Sequence, residues 1–314
     1  MAILVHCAPL PSQPFVEALK RLAPDVPVWV DADNAPPDEV EAVLAWRLQA
    51  GWLARWPQLR VVCSTGAGVE KLLVPDLPLH LPVTRSVDPL QAQALAQYAL
   101  AAVLRQLRDL PLYAAQQAQA LWKRHPQRPL GECRVGVLGQ GEVGQAVARA
   151  ASALGLPVTM WGRGLRVIPG LTELPTTQQW VGLEELPLML QLSQVLVCTL
   201  PLTPATRGLL NRRTLGLLPA GGHLVNIGRG EHVVEADLRA LLDNGHLHSA
   251  TLDVFEKEPP PPDNWVWQHP RVTATPHIAG EARAEVVAAQ CLEALHCART
   301  GQPMPRLVDR SAGY

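Results

Sequence analysis

The chain has 314 residues, 48% hydrophobic and 18% charged, which is long enough for two domains with substantial cores. A net charge of −1 with no long basic or acidic block argues against nucleic acid or anionic lipid as a partner. No apolar run approaches a membrane span, and the N-terminal AILVHCAPL is too short, and lacks the basic flank, for a signal peptide. Six cysteines without a Cys-x-x-Cys pair argue against structural zinc and fit a reducing cytoplasm, and the closely spaced His246 and His248 are poor evidence for any metal.

The first elements alternate. Residues 2–7 read as a strand, 14–22 as a helix, and 26–30, 43–46, 59–64 and 83–85 as further strands with helical segments between them. This pattern predicts a small parallel α/β domain. The turn Ser64-Thr65-Gly66-Ala67-Gly68-Val69-Glu70 is expected to follow a strand and open a helix. Its glycines would let bare amides converge on an anion such as a small carboxylate, or it is a simple strand-to-helix turn.

A long helix is expected from Asp88, a good N-cap, with Pro89 at the first position and Gln91 completing a capping box. It should run to about Leu110, where Pro111 interrupts it, and a second helix to about Trp122. The polar, proline-containing stretch His125–Gly131 then leads into CRVGVLGQGEVGQAVA. There a short apolar strand meets Gly139, Gly141 and Gly144 in G-x-G-x-x-G spacing, followed by a helical period. The first glycine makes a tight turn, the second admits a pyrophosphate, and the third lets helix and strand pack closely, with the helix N-terminus facing the phosphate charge.

The next strand, 157–161, ends about 20 residues past the first glycine, where NAD-dependent enzymes place an acid on the ribose. Here the first carboxylate after Glu142 is Glu173, and Gly162, Arg163 and Arg166 occupy the interval. Without that acid, a guanidinium can take a 2′-phosphate through charge-assisted bonds. NADP(H) is therefore expected over NAD(H), with Arg163 as main phosphate ligand and Arg166 second, unless both are solvated loop charges. Strands at 195–199, 223–226, 250–254 and 272–274, with helices near 183–192, 207–217, 234–244 and 281–300, bring this domain to the six strands of a doubly wound sheet.

Arg229, Glu258 and His277 each come just after one of these strands, and ligands of open α/β sheets bind beyond the carboxyl ends of strands. Reduction of a 2-keto acid needs a cation on the carbonyl, a general acid, and a group that keeps the acid protonated. Arg229, His277 and Glu258 match these roles in that order. Separately, each has a plainer reading: a helix-capping Arg229, a surface Glu258, a satisfied core histidine at His277. His223, His232, His246, His248 and His269 lack such placement.

The motifs GAGVE (66–70), GQGEVG (139–144), LPLTPATRGLLN (200–211), NIGRG (226–230), LDVFEKEP (252–259) and HPRVTATPHIAG (269–280) together resemble the D-isomer-specific 2-hydroxyacid dehydrogenases, most closely their glyoxylate/hydroxypyruvate reductase A branch. The resemblance implies an α/β fold of two Rossmann-like, flavodoxin-like parallel-sheet domains. A cofactor domain (96–284) would be inserted into a discontinuous substrate domain (1–95 plus 285–314). It implies Arg229, Glu258 and His277 as catalytic residues, and Gly66, Ala67, Gly68 and Trp46, with Arg229 and His277, at the substrate. Candidate dinucleotide contacts are Gly139, Gln140, Gly141, Glu142, Val143, Gly144, Trp161, Gly162, Arg163, Arg166, Thr206, Gly228 and Ala279, and the resemblance adds Leu200, Pro201 and Ile227 lining the dinucleotide and Asp253 at the nicotinamide carboxamide. A homodimer joined through cofactor domains and long helices is also implied. The sequence departs from the family at Gly162-Arg163, where an acid is common, and at AQYAL, where many relatives carry an AEH-like sequence.

The implied activity is NADPH-dependent reduction of glyoxylate, hydroxypyruvate or a similar 2-keto acid. A dinucleotide-sensing, corepressor-like regulator and an oxidant of a formate- or phosphonate-type donor use the same scaffold and stay open at this point.

Overall fold

Runs such as VGVL and VLVC, apolar on both faces, are what a strand needs when helices cover both sides of a parallel sheet. The computed structural model, which describes residues 2–30, 32–170, 174 and 177–314, bears this out in two units. One comprises Met1–Asp88 and Ala282–Tyr314, the other Pro89–Glu281.

The first unit holds β1 (Ala2–His6), β2 (Val28–Trp29), β3 (Val40–Ala45), β4 (Val61–Ser64) and β5 (Val83–Thr84) in the order β2-β1-β3-β4-β5. All are parallel, the flavodoxin-like order. Helices α1 (Gln13–Leu22) and α8 (Ala284–Thr300) pack together over one face, where Phe15, Leu19, Val287 and Leu295 are buried. The helical segments expected between the later strands reduce to one 3-10 turn, Trp52–Arg55. The turn after β4 opens no helix: only a tight turn closes there, with Leu72 N donating to Val69 O at 2.8 Å.

The second unit begins with α2 (Pro89–Leu107) and α3 (Leu110–Ala118). The break falls earlier than expected, at Asp109, whose φ is 53°. Pro111 therefore sits in the first turn of α3, where its missing N–H costs nothing. Gln91 donates to the Gly280 carbonyl at 3.2 Å, and Asp88, in the first unit, makes a bidentate pair with Arg283 at 2.8 Å.

Seven parallel strands follow: β6 (Val135–Leu138), β7 (Val158–Gly162), β8 (Thr177–Val181), β9 (Val195–Cys198), β10 (Gly222–Asn226), β11 (Leu247–Leu252) and β12 (Val272–Ala274). Their order is β12-β11-β10-β9-β6-β7-β8, the doubly wound arrangement with its switch point between β6 and β9. The unexpected strand is β8. Its TQQWV lacks an apolar run because it lies at the sheet edge, half exposed. Helices α4 (Glu142–Ala153), α5 (Gly182–Leu192), α6 (Arg212–Leu215) and α7 (Glu235–Asp243) complete the unit. The helix expected over 207–217 shrinks to α6, because the Asn211 side chain caps Arg213 N and Thr214 N and so sets the start at 212.

His223 on β10 is buried in this sheet, its Nδ1 2.9 Å from Ser249 Oγ and its Nε2 3.4 Å from Thr251 Oγ1. Burial holds its pKa down, at about 4 against an ordinary 6.5. Between those values the unfolded chain binds the extra proton and the folded chain does not, so stability is complete above pH 6.5 and falls as pH drops toward 4. A urea titration at pH 7 and pH 5 should show wild type losing about 2 kcal/mol more than His223→Asn. Equal losses would mean that His223 does not drive the acid limb.

Candidate active site

The glycine turn follows directly from close packing. Gly139 has φ 116° and donates to Trp161 O at 2.8 Å, a conformation that a side chain would strain. A Cβ on Gly144 would lie 2.1 Å from Gly139 O, so helix α4 can start against β6 only without one. At Gly141 a Cβ would meet nothing within 4 Å. The backbone there is bare toward open space, at the N-terminus of a 12-residue helix. These features fit a pyrophosphate, which the amides opening α4 would hold.

The flanking residues divide between site and scaffold. Gln140 is buried against Gly162, donates to Trp180 O at 3.2 Å and accepts from Gln179 at 2.6 Å, so it can offer a ligand only its backbone. Trp161 turns its ring into the core and donates to Gly182 O at 2.7 Å. Glu142, Arg163 and Arg166 are exposed and Val143 is half-buried; Glu173 lies outside the described residues. Gln179 on β8 also donates to Arg166 O at 2.8 Å, tying the arginine loop to the glycine turn. The sequence gives no sign of that link, because β8 itself carries no strand signature.

Beyond β9, Leu200 and Ile227 are buried, and the Thr206 hydroxyl closes its own turn by donating to Pro201 O at 2.8 Å. After β10, Asn226 holds the arginine turn: its Nδ2 donates to Arg229 O at 2.9 Å and its Oδ1 accepts from Gly228 N at 3.1 Å. Arg229 N donates to Nδ1 of the fully buried His232 at 3.1 Å. That fixes the His232 proton on Nε2, which faces Pro201 O at 3.3 Å. His232, set aside in the sequence, therefore supports Arg229; its position three residues on in GRGEH was the available signal. The half-buried Arg229 guanidinium donates to Gly228 O at 2.8 Å.

Glu258 and His277 come together. Glu258 Oε1 accepts from Phe255 N at 3.0 Å, and Oε2 lies 2.9 Å from His277 Nδ1. The carboxylate thus orients the ring through Nδ1. The side chains are 34% and 31% exposed for His277 and Glu258 respectively, accessible to a small molecule. His277 has φ 56°, a region that costs a non-glycine residue about 1–2 kcal/mol. Such strain persists where the surroundings over-determine it, typically at functional sites. Strands β10, β11 and β12 are sheet neighbours, so Arg229, Glu258 and His277 all arise from one edge of the sheet.

Within the first unit, Trp46 packs on the glycine turn: a Cβ on Gly66 would lie 3.3 Å from its ring, and Lys71 Nζ sits 5.2 Å from the ring centre. Gly66 N is already bonded to Ser64 Oγ at 3.1 Å. Among the described residues no hydrogen bond takes the amides of Ala67 and Gly68. No group of three or more metal-ligating side chains occurs among the described residues, nor any helix long and apolar enough to cross a membrane.

A doubly wound sheet with a phosphate-ready glycine turn, and a histidine–carboxylate pair with an arginine beyond its neighbouring strands, defines a dinucleotide-dependent oxidoreductase. The profile of the D-isomer specific 2-hydroxyacid dehydrogenase NAD binding domain matches residues 100–279. The chain is 36% identical over 308 residues to glyoxylate/hydroxypyruvate reductase A of Salmonella newport, covering 96% of each. It belongs to the D-isomer-specific 2-hydroxyacid dehydrogenase family. It superposes with a TM-score of 0.92 and 38% identity on the Xanthobacter autotrophicus member in complex with NADPH and MES, covering 100% of this chain and 99% of that one. The TM-score is 0.90, with 30% identity and the same coverage, for the NADPH-dependent glyoxylate/hydroxypyruvate reductase of Sinorhizobium meliloti with NADP and sulfate.

Proposed function

We propose that the protein is an NADPH-dependent reductase of glyoxylate, hydroxypyruvate or a similarly short 2-keto acid, giving the D-2-hydroxy acid. The observation that carries this reading is the His277–Glu258 pair, Nδ1 to Oε2 at 2.9 Å, just beyond the sheet's strands. The bound reduced nicotinamide supplies a hydride. His277 gives the Nε2 proton to the carbonyl oxygen, and Glu258 holds the Nδ1 proton throughout, so the ring ends neutral and oriented. Arg229 binds the keto acid and stabilises charge developing on its oxygen. In the first unit, the amides of Ala67 and Gly68 suit a carboxylate, the role we assign to that turn.

NADP(H) is the cofactor this reading requires. No acid ends β7, and Arg163 and Arg166 are exposed just beyond it. The similar Xanthobacter and Sinorhizobium proteins are NADPH and NADP complexes. Arg163→Ala should raise the KM for NADPH by about tenfold, the worth of a charge-assisted bond, and leave that for NADH within twofold. An unchanged NADPH KM would remove Arg163 from the phosphate site.

Exposed Leu110, Leu112 and Trp122, on and just after α3, support the homodimer we assign to this protein. Six free, buried cysteines support a reducing cytoplasm. The reading is tested by the absorbance loss of NADPH and NADH against glyoxylate, hydroxypyruvate and pyruvate. Turnover with NADPH and at least one of them is expected, and none with any would overturn it.

A further inference from the structure

We propose that Tyr98, Thr275 and Asp253 form a hydrogen-bonded relay that positions the His277 loop, with the Thr275 hydroxyl as its central link. The proposal rests on His277 being the general acid. It adds positioning residues to that role.

Asp253, at the end of β11, is 2% exposed, and a carboxylate so buried requires partners. Its Oδ1 accepts from Thr275 Oγ1 at 2.6 Å and from Ile278 N at 2.8 Å, and its Oδ2 from Ala279 N at 2.9 Å. Its backbone oxygen accepts from His277 N at 2.9 Å. One residue therefore grips positions 275, 277, 278 and 279, the turn in which His277 adopts its left-handed conformation.

The Tyr98 hydroxyl, from the middle of α2, lies 2.6 Å from Thr275 Oγ1. A threonine hydroxyl has one proton, and here it goes to Asp253, so Tyr98 must be the donor to Thr275. Burial pushes the Tyr98 phenol up from its ordinary value, which keeps that donor protonated. The chain runs from phenol to hydroxyl to carboxylate, each bond polarising the next. It ties the loop to a 19-residue helix on one side and to the sheet on the other. Glu258 orients the imidazole ring, while the relay holds the backbone that carries it.

The test crosses two substitutions. Thr275→Val keeps the shape and removes the hydroxyl; Thr275→Ser keeps the hydroxyl and removes a methyl. If Thr275 were only packing, serine would be the worse of the two. The relay predicts the reverse. Thr275→Val should lower kcat about tenfold with little change in the KM for NADPH, while Thr275→Ser stays within about twofold; Tyr98→Phe should lower kcat about threefold. Amide hydrogen exchange in a peptide spanning residues 275–279 gives a readout that needs no turnover. It should speed up about tenfold in Thr275→Val and hardly at all in Thr275→Ser. Valine equal to or better than serine in kcat, or equal exchange in both, overturns the relay. A wild type that reduces no keto acid defeats the functional reading instead, and the exchange comparison still decides whether the relay holds the loop.

Discussion

Replacing His277 should lower kcat for keto-acid reduction by about 10²–10⁴-fold, the range a positioned general acid contributes, while NADPH binds as before. The carbonyl oxygen gains charge as the hydride arrives, and the proton donor we propose is His277, whose ring Glu258 orients. Its Nδ1 is held 2.9 Å from Glu258 Oε2, which commits the mobile proton to Nε2. Alanine is not the cleanest replacement, because position 277 sits at φ 56°. Asparagine tolerates that region better than alanine and keeps the turn while removing the acid. Matching losses in His277→Ala and His277→Asn, with NADPH affinity by fluorescence titration unchanged in both, would assign the effect to proton donation. An Asn variant within tenfold of wild type would show that the proton comes from elsewhere.

The sequence disclosed the parts of this protein that repeat a local rule. Buried parallel strands are nearly continuous apolar runs, so β6, β9 and β10 were legible, and three glycines at fixed spacing marked the turn between β6 and α4. Arg229, Glu258 and His277 could be singled out as candidates because each follows a strand closely. What stayed hidden depends on contacts distant in sequence. β8 is an edge strand whose polar TQQWV satisfies no apolar pattern, and with it went Gln179, the clamp on the arginine loop. Tyr98 and Thr275 are 177 positions apart and meet only when α2 packs beside the sheet. Helix extents failed where one side chain decides them: Asn211 starts α6 late, and Pro111, expected to interrupt the long helix, sits in the first turn of the next one.

Gly230→Ala should be among the most damaging single substitutions in the cofactor-binding unit, although nothing in its own backbone angles demands glycine. A Cβ there would lie 1.8 Å from Phe255 C, 2.1 Å from Glu256 N and 2.3 Å from Phe255 O. All three are backbone atoms, so no rotamer change relieves the overlap, and either the arginine turn or the 255–258 segment must move. That segment carries Glu258, whose Oε1 is anchored on Phe255 N at 3.0 Å, and the turn carries Arg229 one residue away. Separation therefore costs stability and pulls two site residues apart at once. Overpacking against rigid surroundings typically costs about 1–3 kcal/mol, and immovable backbone puts this case at or above the upper end. We expect Gly230→Ala to lower Tm by several degrees and to lose keto-acid turnover together with it. Gly141→Ala supplies the contrast, since its Cβ meets nothing within 4 Å: Tm should hold while NADPH affinity falls, because the methyl group occupies the approach left for a pyrophosphate. A Gly230→Ala protein with wild-type Tm and kcat would mean that the two segments are not in contact in solution.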